Sequence, residues 1–201
     1  MIKAKIAVLV SGGGTNLQAL IDAQNSGIIK DGNIDLVISN NKDAYALTRA
    51  KNAGIRTEVL SKIELGKDKF EEELIRTLDE NKTDVIVLAG FMVILSERFT
   101  SHFANRILNV HPSLIPSFCG EGFYGLKVHE AALQKGVKVT GATVHFVNEI
   151  PDGGQIIMQK AVEVEDGDTP EVLQKRVMEQ AEWIILPQSV QKVCKSIIEN
   201  R

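Results

Sequence analysis

The chain has 201 residues, 44% of them apolar and 24% charged, so it can bury a full core with no metal or disulfide to staple it. Its net charge of −3 implies no polybasic nucleic-acid surface. The charge of an anionic ligand must then be met locally, by helix N-termini or a few placed cations. Two cysteines, Cys119 and Cys194, show no CxxC and no Cys/His pairing at metal spacing, which suits a reducing compartment. The apolar run in MIKAKIAVLVSGGG is too short for a membrane span or a signal peptide. A cytoplasmic enzyme acting on small molecules, with no membrane or nucleic-acid partner, is the expected setting. Nothing in the composition chooses between monomer and homodimer.

KIAVLV (5–10) reads as a buried strand, followed by SGGG and a helix from Thr15 to Gln24 with Leu17, Leu20 and Ile21 at helical spacing. IDLVIS (34–39) is a second strand, 44–54 a helix closed by Gly54, and RTEVL (56–60) a third strand. The amphipathic stretch 67–81 puts Phe70, Leu74, Ile75 and Leu78 on one face, and the glutamates of 71–73 read as a solvated face. DVIVLAG (84–90) and ILNVH (107–111) are further apolar strands. This alternation predicts a mostly parallel α/β sheet with helices on both faces. VTGATVHFV (139–147) and GQIIMQKAVEV (154–164) are longer, partly alternating, and predict an antiparallel extension of the same sheet. A long helix from Thr169 closes the chain, with Pro170 at its start and Pro187 kinking or dividing it. With no repeat or linker, residues 1–201 read as one domain.

Four stretches carry chemistry. SGGGTN, with Gly12, Gly13, Gly14, Thr15 and Asn16, joins the first strand to the first helix. It is neither GxGxxG nor a P-loop. A Gly-rich turn would explain it, but its place after the first parallel strand favours an anion site, for a mononucleotide phosphate rather than a dinucleotide. LAGFMVILS (88–96) reads on pattern as a hydrophobic loop or short helix packed on the core. Its alternative is a pocket wall for a flat heterocycle, with backbone groups of 91–95 free to bond a ring edge.

In RILNVHPSLIP, period-two alternation puts Asn109 and His111 on one strand face, and Pro112 ends the ladder. Two hydrogen-bond donors side by side suit an oxyanion site for acyl transfer. Equally, they could satisfy local backbone groups. Ser113 lacks a GxSxG elbow, and Cys119 in its Gly-rich loop reads as incidental rather than as a nucleophile for His111. Asp152 lies in a Pro-Asp-Gly-Gly turn; Asp-Gly is a common turn dipeptide, and the functional alternative is a carboxylate that holds His111 and carries a proton. His145 could line the same cavity.

Together VLVSGGGTNLQALI, DVIVLAGFMVILS, ILNVHPSLIPSF, TGATVHFVNEIPDGGQII and the late GDTP resemble, in order and over nearly the whole chain, the phosphoribosylglycinamide formyltransferases. These are a branch of the formyltetrahydrofolate-dependent formyltransferases. The resemblance implies the formyltransferase fold and transfer of a formyl group from 10-formyltetrahydrofolate, as co-substrate and without a metal, to the glycine amine of glycinamide ribonucleotide, the third step of purine synthesis. It implies catalytic roles for Asn109, His111 and Asp152, a phosphate loop at Gly12 to Asn16, and folate contacts at Phe91, Met92, Val93, Ile94 and Leu95, with Asn109 beside them. It also places Lys67 near the folate tail and Glu182 at the acceptor's ribose.

The chain departs from the resemblance at three places. Val93 stands where many members have Arg, residues 117–133 differ from the common loop, with Cys119 where Pro is usual, and the segment before Glu182 is one residue longer than in some members. Related chemistry stays open: a formyltetrahydrofolate hydrolase or a formyltransferase for another amine would use the same trio, although those relatives carry an extra N-terminal or C-terminal domain. A non-catalytic nucleotide-binding module would use SGGGTN alone.

Overall fold

The computed structural model describes residues 2–201. Its first half repeats strand and helix: β1 (Ala4–Val10), α1 (Thr15–Asn25), β2 (Gly32–Ser39), α2 (Tyr45–Asn52), β3 (Arg56–Val59), α3 (Lys62–Leu65), α4 (Lys67–Glu80), β4 (Val85–Leu88), α5 (Glu97–His102) and β5 (Ile107–His111). Then come α6 (Leu126–Lys135), β6 (Val139–Phe146), β7 (Ile156–Glu163), α7 (Pro170–Val177), a π-helical turn (Met178–Glu182) and α8 (Trp183–Glu199). One seven-stranded sheet takes the order β3-β2-β1-β4-β5-β6-β7. Strands β1 to β5 are parallel, and β6 and β7 run antiparallel to their neighbours.

The apolar strands follow from this placement. β1 and β4 are central, and every residue of β4 is buried, because helices cover both faces. Ile6, Val8 and Val10 face a core shared with α1 and α8. Ala7 and Leu9 face a second core built on Phe70, Leu74, Phe99 and Phe103. The rings of Phe99 and Phe103 lie 5.0 Å apart. Burying one such side chain contributes about 1.5–3 kcal/mol, which explains why the short α5 is held although its sequence has too few turns to register as a helical period. Ser96 caps it, accepting from the Phe99 N–H at 3.4 Å.

Three expectations are corrected. The C-terminal helix is divided at the π turn, upstream of Pro187, which lies inside α8. At Pro187 the ladder loses only the one donor that proline lacks, and the extra residue of the wider turn is absorbed before it. Glu71 is buried at 6% exposure instead of solvated, since its carboxylate accepts the Ser96 N–H at 2.8 Å and also the Ser96 hydroxyl. Helix α6 forms where the sequence suggested only a loop. Its buried face of Val128, His129 and Ala132 includes a histidine, so the apolar period is broken.

Candidate active site

In the order β3-β2-β1-β4-β5 the chain direction across the sheet reverses between β1 and β4, and the crevice beyond the carboxyl ends of those strands is where open α/β sheets take ligands. Three segments meet there: the glycine loop after β1, the 89–96 segment after β4, and the end of β5.

The glycine loop enters α1 through Gly14, which is left-handed at φ 72° and offers no side-chain cap. A Cβ on Gly14 would stand 2.6 Å from the Ala46 Cβ, so this position requires glycine on two grounds. The first N–H groups of α1 are therefore open. Asn16 donates to Glu182 Oε2 at 2.8 Å, and its own Oδ1 is buried with no partner among the described residues. Glu182 is buried, and burial pushes its carboxyl above the usual range against the opposing pull of Asn16. The π turn ends at Glu182; a π turn takes one residue more than an α turn, so the longer segment still delivers this carboxyl to Asn16.

After β4, Gly90 turns the chain at φ 69°. Phe91, Val93 and Leu95 pack on the second core, while Met92 and Ile94 are exposed. The segment is thus extended, with one edge on the core and one facing out. The Met92 N–H is not free as expected: it donates to Ser11 Oγ at 2.9 Å, tying this segment to the glycine loop. The backbone N–H groups of Val93, Ile94 and Leu95 have no backbone acceptor among the described residues. Replacing Ser11 by Ala should lower unfolding free energy by about 0.5–1 kcal/mol in urea titrations. An unchanged midpoint would show that water replaces the tie at no cost. Lys67 lies four residues before Glu71 on α4, and so on the same face as the carboxylate that grips Ser96. It is exposed, and among the described residues no ion pair holds it.

Strand β5 pairs antiparallel with β6, setting Asn109 opposite His145 and His111 opposite Thr143. All four share one face. Asp152 reaches them from the turn after β6, at φ 55°. Ile150 donates to Asn148 Oδ1 and Gly153 to the Ile150 carbonyl, and a Cβ on Gly154 would overlap the Phe146 carbonyl oxygen. The second glycine of PDGG is thus required by close backbone approach.

Asp152 Oδ2 lies 3.4 Å from His111 Nδ1, and Oδ1 lies 3.4 Å from His145 Nε2. Oδ2 also accepts the Gly120 N–H at 2.9 Å. Burial raises the Asp152 carboxyl, but the His145 contact, the Gly120 N–H and the charges of both rings outweigh it and hold the group below the usual carboxylate range. His145 Nδ1 donates to the Phe146 carbonyl at 2.8 Å. In its neutral form Nε2 accepts the Asn109 amide at 3.4 Å, and with a second proton it donates to Asp152.

His111 Nε2 donates to the Phe118 carbonyl at 2.8 Å. Both its nitrogens are thus engaged, whereas the sequence suggested a free donor; the reason is the 117–125 loop, which folds over the ring. Ser113 donates to the Ser117 carbonyl, not to His111, and Cys119 Sγ contacts the Pro116 carbonyl at 3.3 Å. Burial, then the charge of Asp152, pushes the Cys119 thiol up, away from nucleophile chemistry. Residues that sequence reasoning missed, Ser11, Thr143 and Gln159, are polar braces. Thr143 Oγ1 donates to the Ser113 carbonyl at 2.7 Å and receives from Gln159 at 3.0 Å. The Thr143 side chain sits on the same face as His111, which was the available signal.

This is a doubly wound α/β protein whose polar cluster lies at the carboxyl edge of the sheet, beside an open helix N-terminus. The chain belongs to the formyl transferase family, whose sequence profile matches residues 4–190. It is 45% identical to the phosphoribosylglycinamide formyltransferase of Escherichia coli over 176 residues, covering 87% of this chain and 80% of that one. It is 44% identical to the human trifunctional purine biosynthetic protein adenosine-3 over 98% of this chain, but spans only 19% of that protein. The crystal structure of glycinamide ribonucleotide transformylase 1 from Symbiobacterium toebii superposes with a TM-score of 0.90 at 39% identity, over 96% of this chain and 89% of that one. No helix among the described residues is long and apolar enough to cross a membrane.

Proposed function

We propose that the chain transfers the formyl group of 10-formyltetrahydrofolate to the glycine amine of glycinamide ribonucleotide. The observation that carries this is the convergence of Asn109, His111 and Asp152 on one sheet face, at the edge that also holds the glycine loop. The names of the relatives favour the same acceptor over a hydrolytic reaction or another amine.

The acceptor's phosphate docks on the N–H groups of Gly12 to Asn16, with its ribose hydroxyls beside Glu182 and the unpaired Asn16 Oδ1. The folate heterocycle lies along Phe91 to Leu95, bonded to backbone groups, since Val93 brings no polar side chain. Lys67 sits toward the folate tail. The neutral amine attacks the formyl carbon, forming the new C–N bond. The developing oxyanion takes hydrogen bonds from the Asn109 amide and His111 Nε2. That site is now held by the Phe118 carbonyl oxygen, so the 117–125 loop must release His111 for turnover. Asp152 orients the ring through Nδ1. Through water it moves the proton from the new ammonium to the departing folate nitrogen as the old C–N bond breaks.

Purified protein incubated with 10-formyltetrahydrofolate and glycinamide ribonucleotide should give formylated acceptor and tetrahydrofolate in equal amounts. Formate released at the same rate without the acceptor would replace this reading with the hydrolase. Calorimetry showing nucleotide binding but no folate binding would leave only the binding module.

A further inference from the structure

We propose that Arg49, on α2, is a positioning residue for the acceptor's phosphate: it holds the glycine loop from its carbonyl side, so that the loop's N–H groups stay aimed at the phosphate. This rests on the reading of that loop as the phosphate site.

In a trans peptide the carbonyl of one residue and the N–H of the next point in opposite directions. The Gly12 carbonyl accepts the Ala46 N–H at 3.0 Å, which turns the Gly13 N–H away from α2. The Gly13 carbonyl accepts Arg49 Nε–H at 2.9 Å, which does the same for the Gly14 N–H. The N–H groups of Gly12, Gly13 and Gly14 have no protein acceptor among the described residues. Helix α2 thus fixes two of the peptides that a phosphate would read, one through a backbone bond and one through a side chain.

The guanidinium is itself held. Nη1 donates to Gln18 Oε1 at 3.1 Å, and the group lies over the Tyr45 ring at 5.0 Å. Arg49 also borders, with Thr15, Gln18 and Trp183, a cavity that begins at the N-terminus of α1. Five N–H donors in a rigid fork can serve the loop carbonyl and the glutamine together, which a lysine ammonium on a flexible stem cannot do in this geometry. The loop contains no basic residue, and Arg49 places a positive charge on the carbonyl side of its peptides.

The test compares glycinamide ribonucleotide with its dephosphorylated nucleoside as acceptors, in steady state, for wild type, Arg49→Ala, Arg49→Gln and Arg49→Lys, with Lys51→Ala on the same helix as control. Arg49→Ala should raise KM for the phosphorylated acceptor about 10- to 100-fold, with kcat and the folate KM within about twofold. Its kcat/KM on the dephosphorylated acceptor should match wild type, and Arg49→Lys should recover only a minor part of the loss. Arg49→Gln, which keeps a donor amide, supplies the same comparison if the alanine variant folds poorly. Equal losses on both acceptors, or no loss on either, would overturn the role of Arg49. Full recovery by lysine would overturn the aiming role. A wild-type enzyme that does not distinguish the two acceptors would instead overturn the phosphate-loop reading beneath it.

Discussion

An Asp152→Asn enzyme is expected to lose roughly three orders of magnitude in kcat, within the range for removing a general acid or base, while both KM values stay within a few-fold. The substitution keeps shape: an amide oxygen can still accept the Gly120 N–H that now reaches Oδ2 at 2.9 Å. What is lost is charge and proton capacity. The carboxyl of Asp152 is held below the usual range, so at neutral pH it is an anion facing two imidazoles, His111 and His145, at 3.4 Å each. An amide neither steadies a protonated ring there nor carries a proton to the leaving nitrogen. Asn109→Ala removes a donor instead and should cost about 10²- to 10³-fold. The two variants should combine less than additively, because they act on one transition state through one network. Rates from single-turnover formyl transfer, with circular dichroism to verify folding, decide the matter. An Asp152→Asn rate within tenfold of wild type would remove Asp152 from the chemistry.

Much of this site could be read from the sequence because strand period and loop position are local properties. Asn109 and His111 two residues apart at a strand end had to share a face, and a glycine loop after β1 had to lie at the sheet's carboxyl edge. The antiparallel tail was legible from the changed texture of β6 and β7. What stayed hidden depends on long-range partners. Nothing local says that Ser11 will meet Met92, or that Arg49 will reach back to Gly13. The glutamate run looked solvated because its pattern is polar, yet Glu71 is drawn in by a Ser96 that lies 25 residues away. The engagement of His111 by the Phe118 carbonyl was equally invisible, since a backbone acceptor carries no sequence signature.

His129 should make the fold acid-sensitive from about pH 6.5 downward. It is fully buried on α6, and neither ring nitrogen has a partner among the described residues. Burial first, then the nearby His111, lowers its pKa to about 4 from 6.5. The unfolded chain therefore takes up this proton before the folded one. Between about pH 6.5 and pH 4 the unfolded state binds more protons, so stability falls as pH falls through that window; above it the contribution is complete, and below it both states are protonated. Integrated from pH 7.5 to 4.5, the loss assigned to this residue is about 2–3 kcal/mol. His129→Leu keeps comparable volume, removes the titration and relieves two unpaired polar atoms. Urea unfolding at both pH values should show the leucine variant losing about 2–3 kcal/mol less than wild type on acidification. Carboxylates titrating over the same range act alike in both proteins and drop out of the double difference. Identical acid losses in the two proteins would mean that His129 finds a proton acceptor in the folded state.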